Sequence, residues 1–265
     1  MQVGADGANS IVRQSMNVTN FSLPYKQMGV VATLELNPEE TEGNSVAWQR
    51  FLPSGPVALL PLTDSLSSLV WSTGVEHAKE LLRMTPEEFV DALNYAYLKS
   101  FKSNSVVDNV MKAVDGAFGS PKNKIQQLPP KVLKVQEGSR AAFPLGFGHA
   151  SSYVAGGVAL IGDAAHRVHP LAGQGANLGF GDVVALTDVL AESVYNGSGL
   201  NDIQYLLKYE QQSLKANVPI LVGVHALQNL YCTEFPPIVL ARSLGLKFTN
   251  NVEPLKQFLM RKAMA

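Results

Sequence analysis

Residues 158–181 read VALIGDAAHRVHPLAGQGANLGFG, and the reading of this stretch decides the fold. An apolar run, Val158 to Ile161, ends in Gly162-Asp163. Small residues follow, then His166, His169, Pro170, Gly173 and Gly175, and a helix-like segment opens near Asn177. Strand, acidic residue, glycine loop and helix start in that order make a site for a polar cofactor. A carboxylate accepts hydrogen bonds from sugar-like hydroxyls. Glycines let backbone approach a ligand closely. The free N–H groups of a helix start favour negative charge.

A second turn of the same kind opens the chain at Gly4-Ala5-Asp6-Gly7-Ala8-Asn9-Ser10-Ile11-Val12-Arg13. Asp6-Gly7 is a turn signal before a helix, and Met1-Gln2-Val3 reads as the end of a strand. The phosphate-binding G-x-G-x-x-G of a dinucleotide fold is missing. Gly173-x-Gly175 fails at the third glycine, and so does Gly146-x-Gly148. The chain therefore reads as an N-terminally truncated product, expected on its own to bind a dinucleotide cofactor weakly or not at all.

The 265 residues can bury a sizeable core; 46% are hydrophobic and 16% charged. A formal net charge of −1 gives no global drive toward nucleic acid. From Tyr205 onward, however, seven Lys/Arg stand against three Asp/Glu. The single cysteine, Cys232, excludes an internal disulfide framework. No apolar run approaches the roughly 20 residues of a membrane-spanning helix. His166 and His169 have no carboxylate or cysteine partner at ligand spacing, so no metal site is expected.

Segments 27–36, 45–52, 56–62 and 67–74 are rich in Val, Leu and aromatics, and turn formers separate them, which predicts an antiparallel meander. Thr85-Pro86-Glu87-Glu88 predicts a helix start, with the helix running to about Phe101 and Phe89, Leu93, Ala96 and Tyr97 on one face. Segment 102–130 reads as an irregular surface insertion. Strands are expected at 139–145 and 153–161, and helices at about 176–195, 202–231, 237–245 and 253–263. Arg50 is the only Lys/Arg between Gly29 and Gly74 and is a pocket candidate; Trp48 and Phe51 are core or pocket wall. The last helix puts Val252, Leu255, Phe258 and Leu259 on one face with Lys256, Arg261 and Lys262 elsewhere. Such a basic amphipathic helix lies on an anionic membrane or packs on its own domain.

Gly162, Asp163, Ala164, Ala165, His166, Pro170, Gly173, Gly175 and Asn177 resemble the second FAD-binding motif of the class A flavoprotein monooxygenases, the para-hydroxybenzoate hydroxylase group. Gly4, Asp6, Gly7, Ser10 and Arg13 resemble the family's G-A-D-G-x-x-S-x-V-R motif, and the two motifs stand in family order. The resemblance implies an α/β (α+β) fold. In it, a discontinuous Rossmann-like FAD domain (1–25 and 139–200) lacks its first βαβ unit. An antiparallel-sheet substrate domain is inserted at 26–138, and 201–265 is a helical tail. It implies FAD as cofactor, held by Asp6, Gly7, Arg13, Gly162, Asp163, Pro170, Gly173, Gly175 and Asn177. Asp163 would hold the ribityl chain, and the helix after the glycines would face the flavin. Arg50, His169 and Pro170 are the pocket candidates; no residue is assigned the chemistry itself.

Within that family, Ala47-Trp48-Gln49-Arg50-Phe51-Leu52-Pro53 through Leu62 resembles the ubiquinone-biosynthesis hydroxylases, mitochondrial members included. Arg242 to Leu246, Pro254 to Lys256 and the closing Ala263-Met264-Ala265 resemble their tail. The resemblance implies hydroxylation of a polyprenylated phenolic ring with O₂. Electrons would come from a ferredoxin system or NAD(P)H. It also implies companion ubiquinone-biosynthesis proteins and a peripheral place on the matrix face of the mitochondrial inner membrane. Two alternatives stay open: a non-catalytic remnant serving as a subunit of a biosynthetic complex, and another flavin monooxygenase of the squalene-epoxidase or halogenase kind.

Overall fold

The computed structural model describes residues 1–37, 39, 44–98, 107, 109–113 and 128–264. In chain order its elements are β1 (Gln2–Gly4), α1 (Ile11–Ser15), β2 (Asn20–Leu36), β3 (Trp48–Leu52), β4 (Gly55–Pro61), β5 (Leu66–Gly74), α2 (Val75–Arg83) and α3 (Pro86–Leu98). After them come β6 (Val132–Val135), β7 (Ala141–Ala150), β8 (Val154–Ala155), β9 (Val158–Leu160) and β10 (His166–Arg167). The chain closes with α4 (Gly175–Tyr195), α5 (Ile203–Cys232), α6 (Pro236–Asn251) and α7 (Glu253–Met264). It divides into two compact units. One comprises Met1–Ala32, Val70–Arg83 and Ser139–Gln228; the other comprises Thr33–Leu69, Met84–Gly138 and Asn229–Ala265.

The first unit carries a small sheet of order β1-β9-β8, with β1 parallel to β9 and β8 antiparallel to it. Ala159, Leu160, Tyr153 and Ala150 from the sheet region, Leu186 and Val189 from α4, and Leu206 and Tyr209 from α5 form its buried core. Burial of each large apolar side chain there contributes about 1.5–3 kcal/mol, which outweighs the polar character of the loops it supports. The expected single strand at 153–161 is instead the hairpin β8–β9. Gly156-Gly157 makes the turn, with Gly157 at φ +74°, a conformation open to glycine. Strand β2 begins seven residues before the expected start because Asn20–Pro24 pairs with Gly146–Ala150 of β7. A register shift between Pro24 and Met28, with Lys26 at φ +54°, lets a proline sit in that strand. Helix α2, which buries Ala78 and Leu81 on one face, was not among the expected elements.

In the second unit, β3 and β4 form a hairpin through Pro53-Ser54 and β5 follows β4. The meander expected for 27–74 is corrected at its first strand. β2 lies beside β5, not β3, and Leu36 donates its N–H to the Ser65 carbonyl at 2.9 Å. The long 37–47 connection frees β2 from the hairpin constraint on β3. Thr85 and Glu88 form the reciprocal box that starts α3: the Thr85 N–H donates to Glu88 Oε2 at 2.9 Å, and the Glu88 N–H donates to Thr85 Oγ1 at 3.2 Å. Phe89, Leu93, Ala96 and Tyr97 are buried, as their spacing requires. Asn94 exchanges two hydrogen bonds with the backbone of Val132 and docks α3 on β6.

Residues 99–101, where α3 was expected to continue, lie outside the described residues. So does most of the 102–130 insertion, expected to be irregular. Its described residues 107 and 109–113 are helical, because Val107, Val110 and Met111 share one face. Helix α6 continues to Asn251, six residues past the expected end, since Gly245 is tolerated inside it. No helix among the described residues is long and apolar enough to cross a membrane.

Candidate functional site

Both sequence motifs start where a parallel strand ends. Register pairs Gly4 of β1 with Leu160 of β9, so the two turns leave side by side from the carboxyl edge of the small sheet. Ligands of α/β folds bind at that edge. Gly4 is obligatory for the pairing: a Cβ on it would lie 2.7 Å from Leu160 Cδ2 and 2.9 Å from Val12 Cβ.

The first turn is occupied with itself. Asp6 Oδ2 accepts from the N–H groups of Ile11 (2.7 Å) and Val12 (3.2 Å), capping α1. A hydrogen bond from Ser10 and these backbone donors hold the Asp6 carboxyl below the usual carboxylate range. Gly7 takes φ +81° and its carbonyl accepts from the Ser10 N–H. Arg13 is buried. One guanidinium nitrogen donates to the Ala164 carbonyl at 2.7 Å and the other to the Ala8 carbonyl at 2.6 Å. Asp6 and Arg13, two of the expected cofactor contacts, are thus committed to shaping the first turn and tying it to the second.

The second turn leaves its acid free. Gly162 adopts φ +58°, the Ala165 N–H closes a 3₁₀ turn on the Gly162 carbonyl, and Asp163 stands exposed between them. No protein group among the described residues bonds the Asp163 carboxylate. It lines two clefts. One, of about 330 Å³, is also lined by Leu145, Arg167, Pro170, Gly173 and Gly175. The other, of about 150 Å³, is polar, with Asn9, Arg13, Asn20 and Arg167 in its wall. Arg167, not singled out by the sequence, donates to the Pro144 carbonyl and is common to both clefts.

The glycine loop completes the first cleft. Gly173 takes φ +62°, and a Cβ there would meet no atom within 4 Å, so the backbone faces open space. Helix α4 then starts at Gly175 with no side-chain cap and no acidic residue in its first turn. Gly175 and Ala176 line the cleft, and Asn177 is exposed and donates to Gln174 Oε1 at 3.4 Å. Uncapped N–H groups at the start of a 21-residue helix present positive charge to that space.

Pro170 reaches the cleft, but His169 lies fully buried behind it. His169 Nδ1 accepts from the Leu171 N–H at 3.1 Å, its ring meets Tyr25 edge-on at 5.0 Å, and its Nε2 has no partner among the described residues. Burial pushes its pKa down to about 4, so it is a neutral post under the loop at physiological pH. Arg50 lies on β3 in the second unit, where its guanidinium donates to the Ala96 carbonyl at 3.0 Å and to the Tyr97 carbonyl.

Two residues the sequence reading missed sit behind the second turn: Asp182 and Asn217, both buried. Asp182 Oδ2 accepts from the Gly162 N–H at 2.9 Å and from His166 Nε2 at 2.6 Å, and Oδ1 accepts from Asn217 Nδ2 at 2.9 Å. Burial opposes ionisation of Asp182, but the donors of His166, Gly162 and Asn217 outweigh it and hold the carboxyl below its usual range. An available signal was the stripe Leu178, Asp182, Leu186, Val189, which puts an acid on the buried face of α4.

Comparison with known proteins adds an independent line. Residues 126–218 match the sequence family described as FAD binding domain. The chain is 59% identical over 263 residues to a Drosophila melanogaster protein named "Ubiquinone biosynthesis monooxygenase COQ6, mitochondrial", covering 99% of this chain and 55% of the relative. The Homo sapiens protein of the same name is 50% identical over 261 residues, covering 97% of this chain and 55% of the relative. The chain thus spans about half the length of the curated relatives it matches. Among solved structures, pqsL, a probable FAD-dependent monooxygenase from Pseudomonas aeruginosa, aligns with a TM-score of 0.64 at 26% identity, over 91% of this chain and 58% of that one.

Proposed function

The chain belongs to the FAD-dependent monooxygenase family, and from that premise we propose that it forms the ribityl- and flavin-facing side of the FAD site in a mitochondrial ring hydroxylase of ubiquinone biosynthesis. The observation that carries the reading is Asp163: an exposed carboxylate with no protein partner among the described residues, at the junction of two clefts and beside an uncapped helix start.

The residues present fit the cofactor. Asp163 accepts hydrogen bonds from the hydroxyls of a sugar-alcohol chain. The open backbone at Gly173, with Pro170 and Gly175, leaves room for a flat ring system against the loop. The start of α4, when the ring system is bound, would favour negative charge on the part that faces it. The polar cleft around Asn9, Asn20 and Arg167 suits the more polar part of the molecule. Gly162, Gly7, Asp6 and Arg13 shape the turns; Asn177 is exposed in the first turn of α4 and lines neither cleft. FAD, when bound, supplies the activation of O₂ for hydroxylation of an aromatic ring.

The substrate class is a polyprenylated phenol, with O₂ as co-substrate and a ferredoxin system or NAD(P)H as the source of electrons. The relatives' printed names support both the pathway and the mitochondrion. Helix α7, with Phe258, Leu259 and Met260 exposed and Lys256 and Arg261 nearby, suits peripheral contact with an anionic matrix-face membrane and with companion proteins of the pathway.

The test is a hybrid in which this chain replaces the matching part of the Drosophila relative, expressed in cells lacking the ring hydroxylase. Restored ubiquinone, lost again on Asp163→Ala, supports the reading. A prenylated precursor that persists while the hybrid is folded and loaded with flavin refutes the substrate assignment.

A further inference from the structure

The proposed cofactor site has two halves that the sequence separates: the Asp163 turn and the start of α4. Something must fix the distance between them. Helix α4 runs against the turn at Gly179, where a Cβ would stand 3.5 Å from Gly162 Cα. One helical turn further, Asp182 reaches back to the same turn. The left-handed φ of +58° at Gly162 directs its N–H away from the strand ladder, and Asp182 Oδ2 receives it at 2.9 Å. The same oxygen receives His166 Nε2 at 2.6 Å from the far side of the turn. Asp163 lies between these two anchor points in the chain. The second oxygen, Oδ1, takes Asn217 Nδ2 at 2.9 Å and so joins α5 to the assembly. All three partners are donors, and both members of the His166–Asp182 pair are about 99% buried. Only an ionised carboxylate accepts from three donors at once.

We propose that Asp182 is the positioning residue of the cofactor site: it bolts the Asp163 turn to helix α4, so that the ribityl-binding carboxylate and the helix start move as one body. The proposal rests on the cofactor reading above, and it concerns a residue that touches neither cleft. Asp182→Asn keeps the size of the side chain but turns an amide N–H₂ toward donors, which removes at least one anchor. Positioning is separable from stability, because Leu186→Ala, one turn along the same buried face, loosens the core without touching the turn.

The experiment has two arms, the first on the full 265-residue chain and the second on the hybrid with the Drosophila relative. In the first, nuclear magnetic resonance follows the imidazole N–H proton of His166 and the exchange of the Gly162 amide, without flavin. The parent should give a downfield, slowly exchanging His166 proton and a protected Gly162 amide. Asp182→Asn and, more mildly, Asn217→Ala should lose both, while Leu186→Ala keeps them. The milder variant carries this arm if Asp182→Asn does not fold. In the second arm, FAD is titrated by fluorescence quenching. Asp182→Asn should weaken binding about ten-fold relative to a Leu186→Ala protein of equal or lower melting temperature. Equal FAD affinity in those two proteins, or an unchanged His166 proton and Gly162 amide in Asp182→Asn, overturns the proposal. A parent hybrid that binds no FAD overturns the cofactor reading instead, and the first arm then still decides whether Asp182 holds the turn.

Discussion

The two motif turns differ in what they do with their aspartates. Both leave neighbouring parallel strands, both contain a glycine in the left-handed region (Gly7 and Gly162), and both precede a helix. Asp6 is bonded to its own backbone at Ile11 and Val12, whereas Asp163 has no protein partner among the described residues. The basic residue follows the same division. Arg13 is buried on two carbonyls, one from each turn, while Arg167 is half-buried and shared by both clefts. The Asp6 carboxylate and the Arg13 guanidinium shape the first turn, whose Asn9 and Arg13 also wall the polar cleft, and we propose the second turn as the binding edge. A motif match alone does not distinguish the two, because a capping aspartate and a ligand-holding aspartate occupy the same kind of turn.

The largest expected effect tests the first turn. Arg13→Ala removes two charge-assisted hydrogen bonds from a buried site and should cost about 4 kcal/mol, or roughly 10 °C in melting temperature. Arg13→Lys should recover little, since one ammonium cannot reproduce the spread of a guanidinium across two carbonyls. Thermal denaturation decides; a loss under 1 kcal/mol would mean the turns are held together by something else.

Next comes an acid sensitivity that belongs to the second turn. His169 is buried and neutral, with its pKa lowered from 6.5 to about 4. Between those values the unfolded chain binds a proton that the folded one refuses. Stability is therefore intact above pH 6.5 and falls as pH drops toward 4, by up to about 3 kcal/mol. His169→Gln should remove that fall whatever it does to stability at neutral pH. Parallel urea titrations at pH 7 and pH 5 measure it; an equal pH dependence in parent and variant would take the imidazole out of the account.

Much of this architecture was legible. The G-D-A-A-H run, the Asp6-Gly7 turn, the Thr85–Glu88 cap and the helices of the tail are local patterns, and local patterns survive in sequence. The parallel register of Gly4 with Leu160 and the place of β2 beside β5 were not legible, because strands distant in the chain find each other through burial rather than through local signals. Asp182 escaped notice for a similar reason. It is one acid among apolar neighbours, and its three donors come from residues 162, 166 and 217. The sequence named the site residues Asp6, Arg13 and Asp163 as one set; only their hydrogen bonds divide them.

A smaller effect should come from Asp6. Asp6→Ala strips the cap from α1, a short and exposed helix, so the melting temperature should fall less than for Arg13→Ala. Cofactor affinity should stay close to that of the parent. A large loss of affinity without loss of stability would make the first turn a ligand-binding edge as well.

The most direct test sets the two aspartates against each other. FAD dissociation constants and melting temperatures are measured for Asp163→Ala and Asp6→Ala in the hybrid with the Drosophila relative. Asp163→Ala should raise the dissociation constant about 10- to 150-fold, the worth of a charge-assisted hydrogen bond, with the melting temperature of the flavin-free protein unchanged. An unchanged dissociation constant for Asp163→Ala, or a loss of affinity confined to Asp6→Ala, would contradict the assignment of the second turn as the binding edge.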